Sequence, residues 1–309
     1  MPTFLGIDCG GSTTRALLVD AGNAALHRGR SGPGNLASTP QVEIERHIRE
    51  AVGEGPAPHY AVACFAGLLT DADRQRALVL LESILPGAKI QAYADYWGSL
   101  EAEPGTDIVV IAGTGSLIAS KTDGGCIKSG GGGPLLGDFG SAFDIGRRAL
   151  GKTVLAADPA EASPIFWQSV SEVFGTDEPN QVLAAVYRSV SPAARVARLA
   201  PAVALDAARG LQYARDSVDQ ALSSLAQATW QHIQKHIPAD DEGNPIQLRL
   251  SGGLWEIDDE AMVRGFKAQM DTLAPRNLQR PVAVERLSAE PVEGAVALAK
   301  KLAEKDNRA

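Results

Sequence analysis

A glycine-rich segment near the start of the chain combines residue types that can bind a nucleotide phosphate. The apolar run at residues 4–7 predicts a buried strand, and a second apolar run follows at residues 16–19. Between them lie two glycines and three hydroxyl side chains: Gly10, Gly11, Ser12, Thr13 and Thr14. We expect a β-hairpin whose turn exposes backbone N–H groups, which together with the hydroxyls can cradle a phosphate.

Asp8 ends the first of these strands, where a carboxylate can hold a hydrated divalent cation against the same phosphate. The alternative is an ordinary hairpin in which Asp and Gly supply only turn geometry. Two further glycine turns, at residues 113–116 and 251–253, also follow apolar runs. Three such turns favour a nucleotide held in a cleft between two related domains.

The composition describes a globular protein and excludes some classes of partner. The chain has 309 residues, 45% of them hydrophobic and 21% charged, and a net charge of −8. This charge argues against non-specific binding to nucleic acid, because the phosphates would repel it. The chain lacks an apolar run of the roughly 20 residues that a membrane span needs. Its three cysteines are far apart, which favours a reducing compartment, so we expect a soluble cytoplasmic protein.

The order of apolar runs and turn residues predicts an α/β protein with two domains. The first part has the pattern βββ-α-β-α-β-α-β, a mixed sheet with crossover helices, and its last strand is expected at residues 107–112. The pattern restarts at residue 113, and residues 141–237 are mainly helical. We expect a first domain of residues 1–112 plus 293–309, and a second domain of residues 113–292 with a helical insertion at about 141–237.

The motifs together resemble those of the sugar kinase/Hsp70/actin ATPase superfamily, whose fold is two ribonuclease H-like domains around a nucleotide cleft. More narrowly, the chain resembles the N-acetylglucosamine and glucosamine kinase group, which shares the BadF/BadG/BcrA/BcrD-type ATPase domain. The resemblance covers nearly the whole chain. The segments that carry it are residues 6–15, 94–95, 111–116, 133–141 and 251–253.

The resemblance implies an ATP- and Mg²⁺-dependent kinase that phosphorylates the O6 hydroxyl of an amino sugar, N-acetylglucosamine or glucosamine. Asp95 would be the general base that takes the proton of the sugar hydroxyl. Its alternative role is to cap the helix that follows it. The implied nucleotide contacts are the turn at residues 10–14 with Asp8 near the metal, the second turn at Gly113, Thr114, Gly115 and Ser116, and Gly252 and Gly253 against the adenosine.

The sugar itself would be bound by Asn35, Asp95, Gly133 and Asp138. Asn35 and Asp138 also have ordinary explanations, since both residue types are common in turns and caps. Kinases of this group carry Trp-Gly before a Gly-Asp-Glu-Gly-Ser signature, whereas this chain has Gly132-Gly133, and Phe139 replaces the Glu. The missing indole leaves the identity of the 2-substituent open. Homodimers occur in the group, so a homodimer is implied by analogy.

Two other interpretations come from different classes. The first is an ATP-driven activator of a partner reductase or dehydratase, which holds an iron–sulfur cluster with cysteines across a dimer interface. Cys9, Cys64 and Cys126 lie in turn or strand patterns that fit this poorly. The second is a sugar- or nucleotide-binding regulator on the same fold, which the intact ATP-site motifs disfavour.

Residues 146–153 also fit the P-loop expression G-x-x-x-x-G-K-[ST]. We expect a helix there instead, since no buried strand precedes the segment.

The histidines do not form a convincing metal-binding pattern. His232 and His236 are four residues apart on a predicted helix, a spacing that can bind zinc, but no Glu follows His232. We expect both on a solvated helix face.

Overall fold

The computed structural model describes residues 1–122, 125–154, 163–238, 243–258, 260–273 and 280–308. The chain folds into two compact units. The first comprises Met1–Thr106 with Leu287–Ala309, and the second comprises Asp107–Arg286. Each is described below by itself.

The described strands are short, and those in the middle of each sheet are the most buried. The strands are β1 (Phe4–Cys9), β2 (Thr14–Val19), β3 (Ala25–Ser31), β4 (Tyr60–Phe65), β5 (Lys89–Ala94), β6 (Ile108–Ala112), β7 (Ser116–Thr122), β8 (Gly125–Gly130), β9 (Ile246–Ser251) and β10 (Val282–Arg286).

The described α-helices fall between and after these strands. They are α1 (Gln41–Val52), α2 (Asp71–Ile84), α3 (Tyr96–Ala102), α4 (Gly133–Leu136), α5 (Ala142–Thr153), α6 (Pro164–Phe174), α7 (Pro179–Tyr187), α8 (Pro192–Ala197), α9 (Ala200–Ala208), α10 (Gln212–His236), α11 (Ala261–Leu273) and α12 (Pro291–Asp306), with a 3₁₀ turn at Gly253–Glu256. None of the helices in the described ranges is long and apolar enough to cross a membrane.

The first unit is a mixed five-stranded sheet in the order β3-β2-β1-β4-β5, with helices on both faces. β1 pairs antiparallel with β2 and parallel with β4, which pairs parallel with β5. Alternate residues of β1 point to opposite faces. Leu5 and Ile7 pack in one core with Ile48 of α1 and Leu81 of α2. Phe4 packs on the other face, in a core that includes residues of α12.

The second unit repeats this architecture, with its sheet in the order β8-β7-β6-β9-β10. β6 pairs antiparallel with β7 and parallel with β9, as β1 does with β2 and β4. The predicted repeat of a hairpin followed by crossover strands is therefore confirmed. The predicted helical segment is also confirmed over its described residues, which form α5 to α10.

Both boundaries between the units lie six residues earlier than predicted, at 106 instead of 112 and at 286 instead of 292. The reason is the pairing of β6. The order of apolar runs predicts this strand in the first sheet, but its partners are β7 and β9 of the second. The helix α12 belongs to the first unit over its whole length, because Val292 and Val296 pack against that unit's sheet.

Some predicted features lie outside the described residues. The sequence predicts a turn at residues 123–125 and a helix over about residues 259–273, but residues 123–124 and 259 lie outside the described residues. The P-loop-like segment, residues 146–153, lies entirely within α5, as expected. A Cβ atom added to Gly146 would approach the carbonyl oxygen of Val196 to 2.3 Å. Gly146 therefore allows α5 and α8 to pack closely, and it does not form part of a phosphate-binding loop.

Candidate active site

The first glycine turn joins the ends of β1 and β2. Cys9 pairs with Thr14, and the N–H of Gly10 donates to the carbonyl oxygen of Thr13 at 2.9 Å. Gly11 and Ser12 are exposed, and no atom lies within 4 Å of a Cβ added to Gly11. The turn therefore leaves open space above its backbone, as the phosphate-binding hypothesis requires. Thr14 is buried, and its hydroxyl lies beside the Cys9 thiol.

Asp8 is buried one residue before the end of β1. The pKa of its carboxyl is raised to about 7, mainly by burial, then by the nearby charge of Asp95 and to a smaller extent by Glu290. Arg15 acts in the opposite direction, with its Nη1 3.6 Å from Asp8 Oδ2. The strand end is therefore a place where carboxylates converge and where a cation is favoured.

Arg15 and Glu290 are residues that the sequence analysis did not assign to the site. Arg15 lies directly opposite Asp8 in the β1–β2 register, and its Nε is 3.6 Å from Oε1 of Glu290. Glu290 is the residue before α12 and also pairs with Arg28. The sequence signal for Arg15 was its position directly after the hydroxyl residues Ser12, Thr13 and Thr14 of the proposed phosphate turn. Glu290 offered none, because its approach depends on where α12 packs.

Asp95 directly follows β5, at the same edge of the sheet as Asp8. Cys9, Phe65 and Ala94 form one row across the parallel strands, and the N–H of Asp95 donates to the Phe65 carbonyl at 3.0 Å. Asp95 Oδ1 accepts from the N–H of Tyr96 at 2.9 Å, which caps α3. The capping role is therefore present, and it fixes the carboxylate at the strand edge.

Asn35 lies in a loop that is fastened across this edge. The N–H of Gly34 donates to the carbonyl of Gly10, and the N–H of Leu36 donates to the carbonyl of Ala66, both at 2.9 Å. Asn35 Oδ1 accepts from the N–H of Ala37 at 2.8 Å. The first unit thus brings Asp8, the turn at residues 10–14, Asn35 and Asp95 to one edge of its sheet.

The second glycine turn occupies the corresponding edge of the second sheet. The N–H of Gly113 donates to the carbonyl of Gly115, and the N–H of Ala142, the first residue of α5, donates to the carbonyl of Gly113, both at 2.9 Å. Gly252 follows β9 with a φ of 104°, and its added Cβ would approach the Ala112 carbonyl oxygen to 2.4 Å. Gly252 and Gly253 therefore lie beside the turn at 113–116.

Asp138 is buried next to this second turn. Its Oδ1 accepts from the N–H of Ser116 at 3.2 Å, and its backbone φ is +56°, an uncommon conformation for a residue other than glycine. Burial raises the pKa of the Asp138 carboxyl, and the Ser116 N–H opposes this. The side chain that the resemblance assigned to the sugar thus has a structural partner in the second turn.

Gly133 begins the short helix α4, between the second turn and Asp138. Its φ is +75°, and no atom lies within 4 Å of an added Cβ. The neighbouring side chains of Leu135 and Leu136 are 93% and 85% exposed. The segment that replaces the Trp-Gly of related kinases is therefore an open, apolar loop.

The histidine prediction was wrong for His232. This side chain is 1% exposed, with Nδ1 2.7 Å from Ser129 Oγ and Nε2 2.9 Å from Ser120 Oγ. These two bonds connect α10 to β7 and β8.

Cys9 and Cys64 are fully buried in the two cores of the first unit, as small apolar side chains would be. Within the described ranges, no three His, Cys, Asp or Glu residues form a group that could hold a metal ion.

Comparison with known proteins places the chain in a family and a fold class. Over 202 residues it is 26% identical to the N-acetylmuramic acid/N-acetylglucosamine kinase of Clostridium acetobutylicum, covering 61% of this chain and 65% of that protein. Over 175 residues it is 27% identical to the N-acetyl-D-glucosamine kinase of Dictyostelium discoideum, covering 50% and 55%. The chain thus matches less than two thirds of the length of either relative.

The structure superposes on that of a candidate N-acetylglucosamine kinase from Chromobacterium violaceum with a TM-score of 0.70. The match covers 97% of this chain and 99% of the other, at 24% identity. At this identity the similarity concerns the fold, and it confirms the α/β class with two ribonuclease H-like units of the actin-like ATPase type. Residues 5–299 match the BadF/BadG/BcrA/BcrD ATPase family. The chain belongs to this family, which confirms the resemblance drawn from its motifs.

Proposed function

We propose that this protein transfers the γ-phosphoryl group of ATP to a hydroxyl of an amino sugar, with Asp95 as general base. The observation that carries the proposal is the convergence of two carboxylates, Asp8 and Asp95, with the glycine turn at residues 10–14 on one sheet edge. Phosphoryl transfer requires an anchored phosphate, a cation and a base for the acceptor hydroxyl. This edge supplies a residue for each.

Asp95 is suited to the role of base because its carboxylate is fixed. The bond from the Tyr96 N–H holds Oδ1 at the start of α3, so the side chain does not have to be ordered when the acceptor binds. In the proposed step, the sugar hydroxyl attacks the γ-phosphorus and its proton moves to the Asp95 carboxylate. The bond from the γ-phosphorus to the bridging oxygen breaks, and ADP leaves.

Asp8 is the proposed residue for Mg²⁺. The fit is chemical: Mg²⁺ in such sites is held by one or two carboxylates together with water and phosphate oxygens. Burial is the main cause of the raised pKa at Asp8, but the charges of Asp95 and Glu290 also raise it, and these neighbouring carboxylates favour added positive charge there. When bound, the ion would neutralise phosphate charge. Gly11, Ser12 and Thr13 would contribute backbone N–H groups and hydroxyls, whereas the N–H of Gly10 and the buried Thr14 would hold the shape of the turn.

The second unit contributes the remaining proposed contacts. The backbone N–H groups of Thr114 and Gly115 would bind phosphate oxygens, and Gly113 would hold the turn through its bond to the Gly115 carbonyl. Gly252 and Gly253 would contact the adenosine. Ser116 was assigned to the same phosphate site, but its N–H and hydroxyl are already engaged within the unit. Asn35, Gly133 and Asp138 are the proposed sugar contacts besides Asp95.

The two kinase relatives support an amino sugar as the acceptor. One is named for N-acetylmuramic acid and N-acetylglucosamine, the other for N-acetyl-D-glucosamine. We propose N-acetylglucosamine, or glucosamine, phosphorylated at O6, by a cytoplasmic and homodimeric enzyme. The test is ADP release with ATP and Mg²⁺ across glucose, glucosamine, N-acetylglucosamine, N-acetylmannosamine and N-acetylmuramic acid. Release with one amino sugar well above the sugar-free rate supports the proposal, and release that ignores every sugar contradicts it.

The family name also keeps open the alternative of an ATPase that activates a reductase or dehydratase. Such an activator needs thiolates that can reach a cluster shared between two copies. Cys9 and Cys64 are each 0% exposed, and burial raises the pKa of both thiols. These positions favour the kinase. A purified protein with iron–sulfur absorption would reverse that preference.

A further inference from the structure

Ser116 uses each of its polar groups to hold the segment at residues 131–139. Its N–H donates to Asp138 Oδ1 at 3.2 Å, and its hydroxyl donates to the carbonyl of Phe139 at 2.8 Å. Its own carbonyl accepts from the N–H of Gly131 at 3.0 Å. One residue at the end of the second glycine turn therefore fastens both ends of the loop.

Between these attachments the segment closes on itself. The N–H of Gly137 donates to the carbonyl of Gly133 at 2.8 Å, and a Cβ on Gly137 would approach the nitrogen of Gly132 to 2.9 Å. Its two leucines project almost fully into solvent. This is the form of an Ω-loop, compact and joined to the protein at neighbouring ends. The position of such a loop depends on the residue that holds its ends.

Ser116 also belongs to the turn that we propose binds phosphate. Gly115 is confined by the same carboxylate, because an added Cβ would lie 2.8 Å from Asp138 Oδ1. A shift of the turn at 113–115 therefore moves Ser116 and, through it, both ends of the loop. The bond to Asp138 joins two buried groups, so water does not compete for it.

We propose that Ser116 is a positioning residue that couples the second glycine turn to the loop at residues 131–139. It acts through Asp138 and the Phe139 carbonyl, without contacting phosphate. The inference rests on the proposed function only for its consequence, namely that nucleotide at the turn sets the position of the apolar loop. The coupling itself can be measured without nucleotide.

The first experiment is amide hydrogen exchange on the protein without nucleotide. Ser116→Ala removes the hydroxyl bond, so exchange in the loop should rise about fivefold, whereas Ser116→Thr keeps the hydroxyl and should restore protection. Asp138→Ala removes an acceptor in the loop, and exchange at the turn amide of Gly113 should rise by a similar factor. Ser120→Ala is the matched control, because Ser120 is a buried serine of the same strand whose hydroxyl contacts His232.

The coupling is overturned if Ser116→Ala leaves loop exchange within twofold of the wild type, or if Asp138→Ala leaves Gly113 unchanged. The second experiment is steady-state kinetics with N-acetylglucosamine and ATP. Ser116→Ala should raise the KM for the sugar at least fivefold more than the KM for ATP, and Ser116→Thr should reverse this. Equal effects on both constants contradict the positioning role. If no sugar supports turnover, the proposed function fails, while the exchange experiment still decides the coupling.

Discussion

Arg15 Nη1 lies 3.6 Å from Asp8 Oδ2, and Nε of the same guanidinium lies 3.6 Å from Oε1 of Glu290. Arg15 thus stands between the carboxylate at the end of β1 and the residue that precedes α12. Its side chain is 35% exposed, so the value of these ion pairs for stability is small. We expect Arg15 to act instead through its positive charge, which partly offsets the negative charge around Asp8.

We predict that Arg15→Met lowers kcat/KM for ATP at least tenfold, because it removes a positive charge beside Asp8 and beside the proposed phosphate turn. Arg28→Met is the matched control. Arg28 also pairs with Glu290, but it is more exposed and is not paired with Asp8. The control should stay within about twofold of the wild type. Equal losses in the two variants, measured by ADP release, would contradict a specific role for Arg15.

Lys152→Ala is predicted to leave turnover within about twofold of the wild type. In a true P-loop this lysine would reach the nucleotide phosphates. Here it lies in α5, and its Nζ is 3.6 Å from Asp216 Oδ2, an ion pair near the surface. The free energy of unfolding should fall by less than about 0.5 kcal/mol. A large loss of ATP-dependent turnover in a folded variant would restore the P-loop interpretation.

Because His232 is buried in its neutral form, we predict that the free energy of unfolding decreases in mild acid. Burial, with a smaller contribution from His236, lowers the pKa of His232 from 6.5 to about 4. Between these values the unfolded chain binds a proton that the folded protein excludes, so the free energy of unfolding decreases as the pH falls. The contribution is complete above pH 6.5 and is lost by about pH 4, an effect of up to about 3 kcal/mol.

The measurement is urea unfolding from pH 7.5 to 4 of the wild type and His232→Gln. The variant should show a shallower decrease of stability over this range, because glutamine can bond to Ser120 and Ser129 without titrating. His236→Gln serves as the control. The ring centres of His236 and His232 are 4.9 Å apart, but the bonds to Ser120 and Ser129 are made by His232. Parallel curves for the wild type and His232→Gln would show that His232 does not cause the decrease.

The glycine turns could be predicted from the sequence because the information is local. Gly10 and Gly113 follow apolar runs, and glycine and hydroxyl residues at the end of a strand indicate a tight turn. The edge that gathers Asp8 and Asp95 also follows from sequence, because parallel strands end at the same side of a sheet. The turns depend on neighbours in the chain, and the shared edge depends only on β1, β4 and β5 running parallel.

The features that the sequence did not predict depend on distant partners. The apolar run of β6 is the same whichever sheet it joins, and only its pairing with β9 decides the unit. His232 and His236 are four residues apart on a helix, which says nothing of the serines on β7 and β8 that bond to His232. Likewise, the contact of Ser116 with Asp138 depends on the closure of a loop.

Asp95→Asn tests the central claim most directly, because asparagine caps a helix as well as aspartate and keeps the acceptor for the Tyr96 N–H. The substitution therefore removes the base and preserves the fold. We predict that wild-type protein with ATP, Mg²⁺ and N-acetylglucosamine or glucosamine forms a sugar phosphate detectable by mass spectrometry. Asp95→Asn should still bind ATP by calorimetry but form the product at least about 100-fold more slowly. Unchanged product formation by the variant, or none by the wild type with any amino sugar, would contradict the account.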